Sequence, residues 1–340
     1  MVEQKRLTLR DIARLAEVST GTVSMVLNNN PLVAAKTREH VREVIEKFGY
    51  VYNRSGAQLR KKKTGVIGVS ICNLANPYFA EITVGLEESL SELGLALILG
   101  NSADSIKQQN KFLNTAREHN VDALLLMPAV GTTRAMVESM LGWGIPIIMV
   151  SRYVPGINVD YAGSDNLKGL AQATKHLLDL GHQRIAFVGA GIRTTSARDR
   201  LNGYKTALRD AGQEVADELI IKCSDTRSNG FMAVQELYKL DSPPTAIACF
   251  NDILAFGVML GLRSMGLEPG KDCSVIGNDD VAEAVLWRPG LTTVAAHSRE
   301  IGLNAGQLLR KRLETRDRPP ERIILKPEVI IRDSTSPYRP

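Results

Sequence analysis

Aromatic, amide and charged side chains stand beside several apolar segments between residues 64 and 280, and their types suit the binding of a small polar molecule. An aromatic ring can stack on such a ligand, while arginine, asparagine and aspartate can bond its hydroxyl or amide groups. Structural roles are the alternative, because Asn251 could cap a helix and Asp279 could bridge two loops. The candidate residues are Asn76, Tyr78, Phe79, Arg152, Arg198, Asn251 and Asp279.

No residue spacing in the chain predicts catalysis or metal binding. Gly189-Ala190-Gly191 follows an apolar run, but Thr194 stands where a dinucleotide-binding loop needs its third glycine. The four cysteines include no Cys-x-x-Cys pair, and the five histidines have no metal-ligand spacing. His182 precedes a predicted strand, where a structural role is expected. We therefore expect no enzymatic activity, no metal and no cofactor.

Residues 7–30 form a different motif, two short amphipathic helices joined by a turn. Thr8 and Asp11 have the spacing of a capping box, in which each side chain bonds the other residue's backbone amide. Ser19 can cap the second helix, whose apolar residues recur at helical spacing. This pattern predicts a helix-turn-helix, which places its second helix in the major groove of DNA. An ordinary helical hairpin is the alternative.

Charge favours the DNA-binding interpretation. Residues 1–63 carry 13 Lys and Arg against 6 Asp and Glu, whereas residues 64–340 carry 29 against 31. A basic segment attached to a near-neutral body is typical of a phosphate-binding module. A solvated basic tail is the alternative, but a tail would not carry capped amphipathic helices. The residues expected on or near the exposed side of the second helix are Thr20, Gly21, Thr22, Ser24 and Met25.

A third helix is expected from about residue 35 to residue 48, where Gly49 would end it. It would close a small core with the first two helices. Residues 51–63 include four consecutive cations from residue 60 onward and are expected to form an exposed linker. The residues of the third helix expected to face the core are Val41, Val44, Ile45 and Phe48.

From residue 64 onward, continuous apolar runs alternate with stretches of helical length. Continuous runs are expected of parallel strands that are buried on both faces. The same order of strands and helices repeats from about residue 184, so we predict an α/β core of two doubly wound parallel-sheet lobes, like that of a periplasmic binding protein. The predicted helices cover residues 78–93, 107–119, 133–141, 197–211, 230–240 and 253–265.

The start of the chain, MVEQKRLTLRD, has no apolar run that could serve as a signal peptide. No stretch approaches the roughly 18 apolar residues of a membrane span. We therefore expect a cytoplasmic protein with no membrane partner. A periplasmic sugar-binding protein would share the two-lobed body, but it would need a signal peptide and would lack the helix-turn-helix.

Ten sequence blocks occur in one order along nearly the whole chain: TLRDIARLAEVSTGTVSMVLN, VAAKTREHV, FGYVYNRSGAQL, NPYFAEI, GSDN, LGHQRIAFVG, RLNGY, PTAIACFND, SVIGNDD and RPGLTTV. Together these blocks resemble the LacI family of bacterial transcriptional regulators. The resemblance implies a repressor that binds near-palindromic operator DNA as a homodimer and responds to a small effector. Several blocks in this order are far more specific than any single block.

For the linker, the resemblance implies a hinge helix over the residues that match Asn53 to Arg60, formed when the dimer binds its operator. Leu59 would wedge into the minor groove, and the contacts of a bent duplex would offset the cost of unstacking a base step. A segment this short is poorly helical by itself, so folding would accompany DNA binding.

The second helix departs from the common family pattern at Met25, where many relatives carry arginine. An arginine could bond guanine through two hydrogen bonds, whereas Met25 can only pack against a thymine methyl group or fill a gap. Thr20 can pack or hydrogen-bond, and Gly21 has no side chain. We therefore expect weak base readout here. The residues expected to contact mostly phosphates are Thr8, Ser19, Ser24 and Asn28.

The resemblance also assigns effector contacts to Phe79, Arg198, Asn251 and Asp279, although Asn278 stands where an aromatic residue is usual. A sugar fits such a polar cleft best, and a purine acting as corepressor is the alternative. The expected domains are a helix-turn-helix domain (1–50), a hinge (51–63), a first lobe (64–163 and 294–324) and a second lobe (164–293 and 325–340).

Overall fold

The computed structural model describes residues 7–27, 29–50, 64–91 and 93–339. The chain divides into two compact units, Met1–Thr64 and Gly65–Pro340. No helix within the described ranges is long and apolar enough to cross a membrane.

The first unit contains the three predicted helices, α1 (Leu9–Leu15), α2 (Thr20–Leu27) and α3 (Ala35–Lys47). Ile12, Val23 and Val41 are fully buried where the three helices meet. Each helix therefore contributes an apolar stripe to one small core, as its helical spacing predicts.

The end of α3 corrects one expectation. Phe48 was expected in the core, but it is 42% exposed because it lies at the C-cap, after the last helical residue. Its ring lies beneath the Lys47 ammonium group instead, 5.7 Å from ring centroid to nitrogen. Gly49 follows with a φ of +60°, the left-handed conformation that commonly ends a helix.

The second unit contains the remaining strands and helices of the described chain. The strands are β1 (Val66–Ile71), β2 (Ala96–Asn101), β3 (Ala123–Leu126), β4 (Ile147–Val150), β5 (Asp160–Ser164), β6 (Ile185–Val188), β7 (Ile220–Ile221), β8 (Ala246–Cys249), β9 (Ser274–Ile276), β10 (Thr293–Ala295), β11 (Arg322–Leu325) and β12 (Glu328–Ile330). The helices are α4 (Pro77–Ser91), α5 (Ile106–Glu118), α6 (Arg134–Leu141), α7 (Asn166–Asp179), α8 (Thr195–Asp210), α9 (Arg227–Leu237), α10 (Asp252–Ser264) and α11 (Ser298–Glu314).

Two parallel sheets define two lobes, as predicted. The first lobe has the strand order β11-β5-β4-β3-β1-β2, and the second has the order β7-β6-β8-β9. Strands β10 and β12 form a separate antiparallel ribbon. Loops that follow the carboxyl ends of neighbouring parallel strands lie at the same edge of a sheet, so each lobe presents such an edge for a ligand.

The edge position of β2 corrects a second expectation. Its apolar run was predicted to be buried on both faces, but Leu99 is 45% exposed. Among the described residues, β2 pairs with β1 alone, so its other edge has no neighbouring strand. The central strands β1, β3 and β4 are buried as predicted.

Two helices of the second unit, α7 and α11, lie outside the predicted set. Helix α11 packs on α4 in the first lobe, and α7 packs on α8 in the second. The buried carboxylate of Asp160 on β5 accepts hydrogen bonds from Arg312 at 2.8 Å, and Arg318 lies 2.9 Å away. These ion pairs fasten the end of α11 and the following segment to the first sheet.

Candidate functional site

The N-terminus of α1 is held by the capping box that the sequence predicts. The Thr8 hydroxyl oxygen accepts a hydrogen bond from the Asp11 amide at 3.3 Å. The Thr8 amide in turn donates to the Asp11 carboxylate at 2.9 Å. These bonds satisfy amides that would otherwise be unpaired at the helix end, and they set the start of α1.

Helix α2 presents a small, uncharged surface. Ser19 caps it by accepting a hydrogen bond from the Thr22 amide at 3.0 Å. Ser19, Thr20, Gly21 and Met25 are exposed, whereas Thr22 and Ser24 are half-buried. The candidate DNA contacts on α2 thus share the face opposite the core. Asn28, Asn53, Leu59 and Arg60 lie outside the described residues.

A polar cleft separates the two lobes of the second unit. From the first lobe it is lined by Asn76, Tyr78 and Phe79 at the start of α4, and by Ser151 and Arg152 after β4. From the second lobe it is lined by Ser196, Arg200, Asp225, Phe250, Asn251 and Asp279. Six of the seven predicted effector residues therefore come together here.

A buried ion pair lies at the centre of the second lobe's side of the cleft. Arg200 donates to Asp279 Oδ1 at 3.0 Å and to the Phe250 carbonyl oxygen at 2.6 Å. It also donates to Asn166 Oδ1 at 2.8 Å. Asn278, which stands where an aromatic was expected, donates to Asp279 Oδ1 at 2.9 Å. The guanidinium and the carboxylate are thus held in fixed positions.

The backbone at Asp279 is unusual, with a φ of +131°. Residues with a side chain rarely adopt this conformation, and it costs free energy that the surrounding structure must supply. Such conformations cluster at ligand-binding sites. The strain at Asp279 therefore fits a role for this residue in ligand binding in the cleft.

The first lobe's side of the cleft is similarly fixed. The Tyr78 hydroxyl lies 3.0 Å from Ser151 Oγ, and the rings of Tyr78 and Phe79 pack edge to face with centroids 5.1 Å apart. Arg152 is buried and donates to Asp104 Oδ2 at 3.1 Å. Its guanidinium lies 5.5 Å from the centroid of the Phe79 ring.

Burial governs the ionisation of the cleft. It raises the pKa of Asp279, while Arg200 and Asn278 act in the opposite direction by stabilising the carboxylate. Burial also raises the pKa of Asp225, and it raises the pKa of the Tyr78 hydroxyl to about 12. The tyrosine is therefore a neutral donor. Two carboxyl groups and two arginines can bond the hydroxyl groups of a ligand from opposite sides.

Arg198 is the predicted effector residue that the structure does not bring into this cleft. Its side chain is exposed, and it donates to the Tyr153 hydroxyl at 2.7 Å and pairs with Asp199. Arg200 lies in the cleft instead, since two residues along a helix point to different faces. The buried stripe of Ala197, Arg200 and Tyr204 has helical spacing and could have identified Arg200.

Two other predicted features have structural roles. Asn251 caps α10 by accepting a hydrogen bond from the Leu254 amide at 3.0 Å, and it also lines the cleft. His182 lies 3.0 Å from Thr245 Oγ1 and 2.9 Å from Ser274 Oγ, so it joins segments of the second lobe. No cluster of metal-ligating side chains occurs in the ranges that the structure describes.

The fold and its two sites define a class of regulator, in which a helix-turn-helix head is joined to a two-lobed body. Comparison with known protein families supports this class for both parts of the chain. The model of periplasmic binding proteins and the sugar binding domain of the LacI family matches residues 64–331. The model of bacterial regulatory proteins of the lacI family matches residues 8–53. The chain belongs to the LacI family.

Individual relatives match over almost the whole length. The ribose operon repressor of Haemophilus influenzae is 30% identical and covers 96% of this chain and 98% of its own length. The complex of the transcriptional regulator CelR with cellobiose is 29% identical, with a TM-score of 0.74 over 97% of this chain and 100% of that chain. The Lac repressor dimer bound to operator is 24% identical, with a TM-score of 0.87 over 98% and 100%, and shows the shared fold.

Proposed function

We propose that this protein is a DNA-binding transcriptional repressor whose operator affinity is controlled by a small polar metabolite, a sugar or sugar derivative, bound between the two lobes. One observation carries the proposal. A capped helix-turn-helix with an exposed second helix and a two-lobed body with a polar cleft occur in one chain.

The residues of the cleft support a polyhydroxylated ligand. Asp225 and Asp279 can accept hydrogen bonds from hydroxyl groups, and Arg152 and Arg200 can donate to ring or hydroxyl oxygens. Phe79 offers an aromatic face for the apolar side of a sugar ring. These groups are the ones that recognise a sugar by hydrogen bonding and stacking.

The closed cleft supports control by lobe movement. Its free space is about 10 Å³, room for about one water molecule, so a sugar enters only when the lobes separate or rotate. A ligand that prefers one lobe angle shifts the population toward that angle. In a homodimer, the angle would set the spacing of the paired linkers and hence the affinity for a two-fold operator.

DNA binding can be tested by selecting sites from random-sequence duplexes with the full chain. The expected product is a near-palindromic sequence. If six or more phosphates are contacted, affinity should fall by roughly 10³-fold between 50 and 200 mM salt. Recovery of no preferred sequence, or binding that does not depend on salt, would contradict the proposal.

A matched pair of variants tests the face of α2. In Thr20→Glu, the helix dipole favours the new carboxylate in the first turn of α2, so the head stays folded. Repulsion between this carboxylate and the negatively charged DNA should lower operator affinity at least tenfold. Thr206→Glu adds the same charge at an exposed position of the body and should bind like the parent. Equal binding by all three proteins would show that α2 does not face DNA.

A further inference from the structure

A second cavity, of about 570 Å³, lies between the two lobes beside the cleft. It is lined by the loops that follow β3 and β4 in the first lobe and β6 in the second, and it is open to solvent on one side. Arg152 lines both this cavity and the cleft, so the two spaces adjoin at this residue. The cavity is large enough for a group attached to a ligand in the cleft.

The lining of the cavity is basic. It includes Arg152, Arg193 and Arg198, and it contains neither aspartate nor glutamate. Arg152 is paired with Asp104, and Arg198 is paired with Asp199. Arg193 is exposed and forms no ion pair in the part of the chain that the structure describes. An anion in the cavity would therefore meet one uncompensated cation and two further guanidinium groups.

Hydroxyl groups and helix ends add to this preference. Thr133 and Thr194, which cap α6 and α8, line the cavity from opposite lobes. Each threonine hydroxyl accepts from an amide of its own helix, Met136 at 3.3 Å and Ala197 at 3.1 Å. The first turns of both helices carry partial positive charge that favours an anion.

The cleft is balanced in charge, because Arg152 and Arg200 line it together with two aspartates. Its lining includes the carboxyl groups of Asp225 and Asp279, and Asp279 is already paired with Arg200. A phosphate or carboxylate placed there would lie beside these two carboxyl groups, whereas the cavity lining has none. An anionic ligand would therefore bind in one orientation, with its hydroxyl-bearing part in the cleft and its charged group in the cavity.

We propose that the effector is an acidic sugar, a sugar phosphate or a uronate, whose anionic group occupies the cavity lined by Arg193 and Arg198. This inference rests on the proposed function, because it specifies the chemistry of the ligand that the cleft would bind. It makes Arg193 and Arg198 the residues that distinguish a charged sugar from its neutral parent.

The test is isothermal titration calorimetry of the full chain with matched ligands: ribose and ribose 5-phosphate, glucose, glucose 6-phosphate and glucuronate, and inorganic phosphate. At least one charged sugar should bind about tenfold or more tightly than its neutral parent, as expected for a charge-assisted hydrogen bond. Comparing the sugar phosphates with glucuronate shows whether the cavity binds a phosphate group or a carboxylate group.

Variants then assign the charged group to the cavity. Arg193→Gln and Arg198→Gln should each weaken the charged sugar about tenfold or more and leave the neutral parent unchanged. Arg209→Gln, which removes an exposed arginine from the far end of α8, should change neither affinity.

Two results would overturn the inference, and they differ in how much of the proposed function still stands. If a neutral sugar binds as tightly as its charged partners and neither variant matters, the anion site is wrong while a sugar effector stands. If none of these sugars binds, the sugar effector and the anion site both fail, and only the DNA-binding part of the proposed function stands.

Discussion

Replacing Arg200 by methionine should destabilise the body of the protein by about 3–5 kcal/mol. The side chain is almost fully buried and donates to Asp279, Asn166 and the Phe250 carbonyl oxygen. Methionine removes the hydrogen-bond donor of all three acceptors. Asp279 then becomes a buried carboxylate that has lost its ion-pair partner. Breaking a buried pair by removing one partner costs about 3–5 kcal/mol.

The loss should depend on pH. Burial raises the pKa of Asp279 and Arg200 opposes that rise, so Arg200→Met raises this pKa further. A carboxyl group whose pKa is raised by folding stabilises the folded state at low pH and loses that contribution as pH rises through the folded pKa. The variant should therefore be closest to the parent near pH 5 and furthest from it near pH 8.

Urea unfolding followed by tryptophan fluorescence measures this effect, because Trp143 and Trp287 both lie in the second unit. The double variant Arg200→Met with Asp279→Asn should recover much of the loss, since no unpaired charge stays buried. Arg209→Met, at an exposed position of α8, should change stability by less than about 0.5 kcal/mol. A loss below about 1 kcal/mol, or an equal loss at both pH values, would refute the reasoning.

Three further predictions concern other parts of the fold. Thr8→Ala should cost about 1 kcal/mol and speed hydrogen exchange of the α1 amides, because the cap of the Asp11 amide is lost, whereas Thr8→Ser should not. Burial raises the pKa of Asp252 to about 7, so this carboxyl group should lower the stability of the parent as the pH rises from about 4 to 7. Asp252→Asn, with Thr293 turned to accept, should make that slope shallower in urea unfolding at several pH values. Gly203→Ala would place a Cβ 2.1 Å from a carbonyl oxygen of α7, so its melting temperature should drop, with a loss of about 1–3 kcal/mol; an unchanged value would show that the two helices are not this close.

Much of the fold follows from apolar patterning. The runs IAFV and AIAC predict strands buried on both faces, and β6 and β8 are fully buried. The pattern misses β5, DYAGS, because this buried strand carries a charge. Its Asp160 is tolerated inside the protein because Arg312 and Arg318 reach it from a distant segment. Helix α7, which follows β5, also lies outside the predicted helices.

The site could be predicted by residue type more easily than by position. The strand ends predict that Phe79, Arg152 and Asp279 lie near one another, since loops after parallel strands share an edge, and all three line the cleft. Their contact with an effector stays a prediction. Choosing between Arg198 and Arg200 required knowing which face of α8 is buried. The partner of Arg200 lies 79 residues away along the chain, and only the packed second lobe brings the two together.

The most direct test of the central claim is the operator affinity of the full chain with and without a bound sugar. Fluorescence anisotropy on the selected operator, with each sugar of the calorimetric panel, should show at least a fivefold change for the sugar that binds. The same sugar should leave the operator affinity of Arg200→Met unchanged at a concentration that saturates the parent. An operator affinity that no bound sugar alters in the parent would contradict control of DNA binding from the cleft.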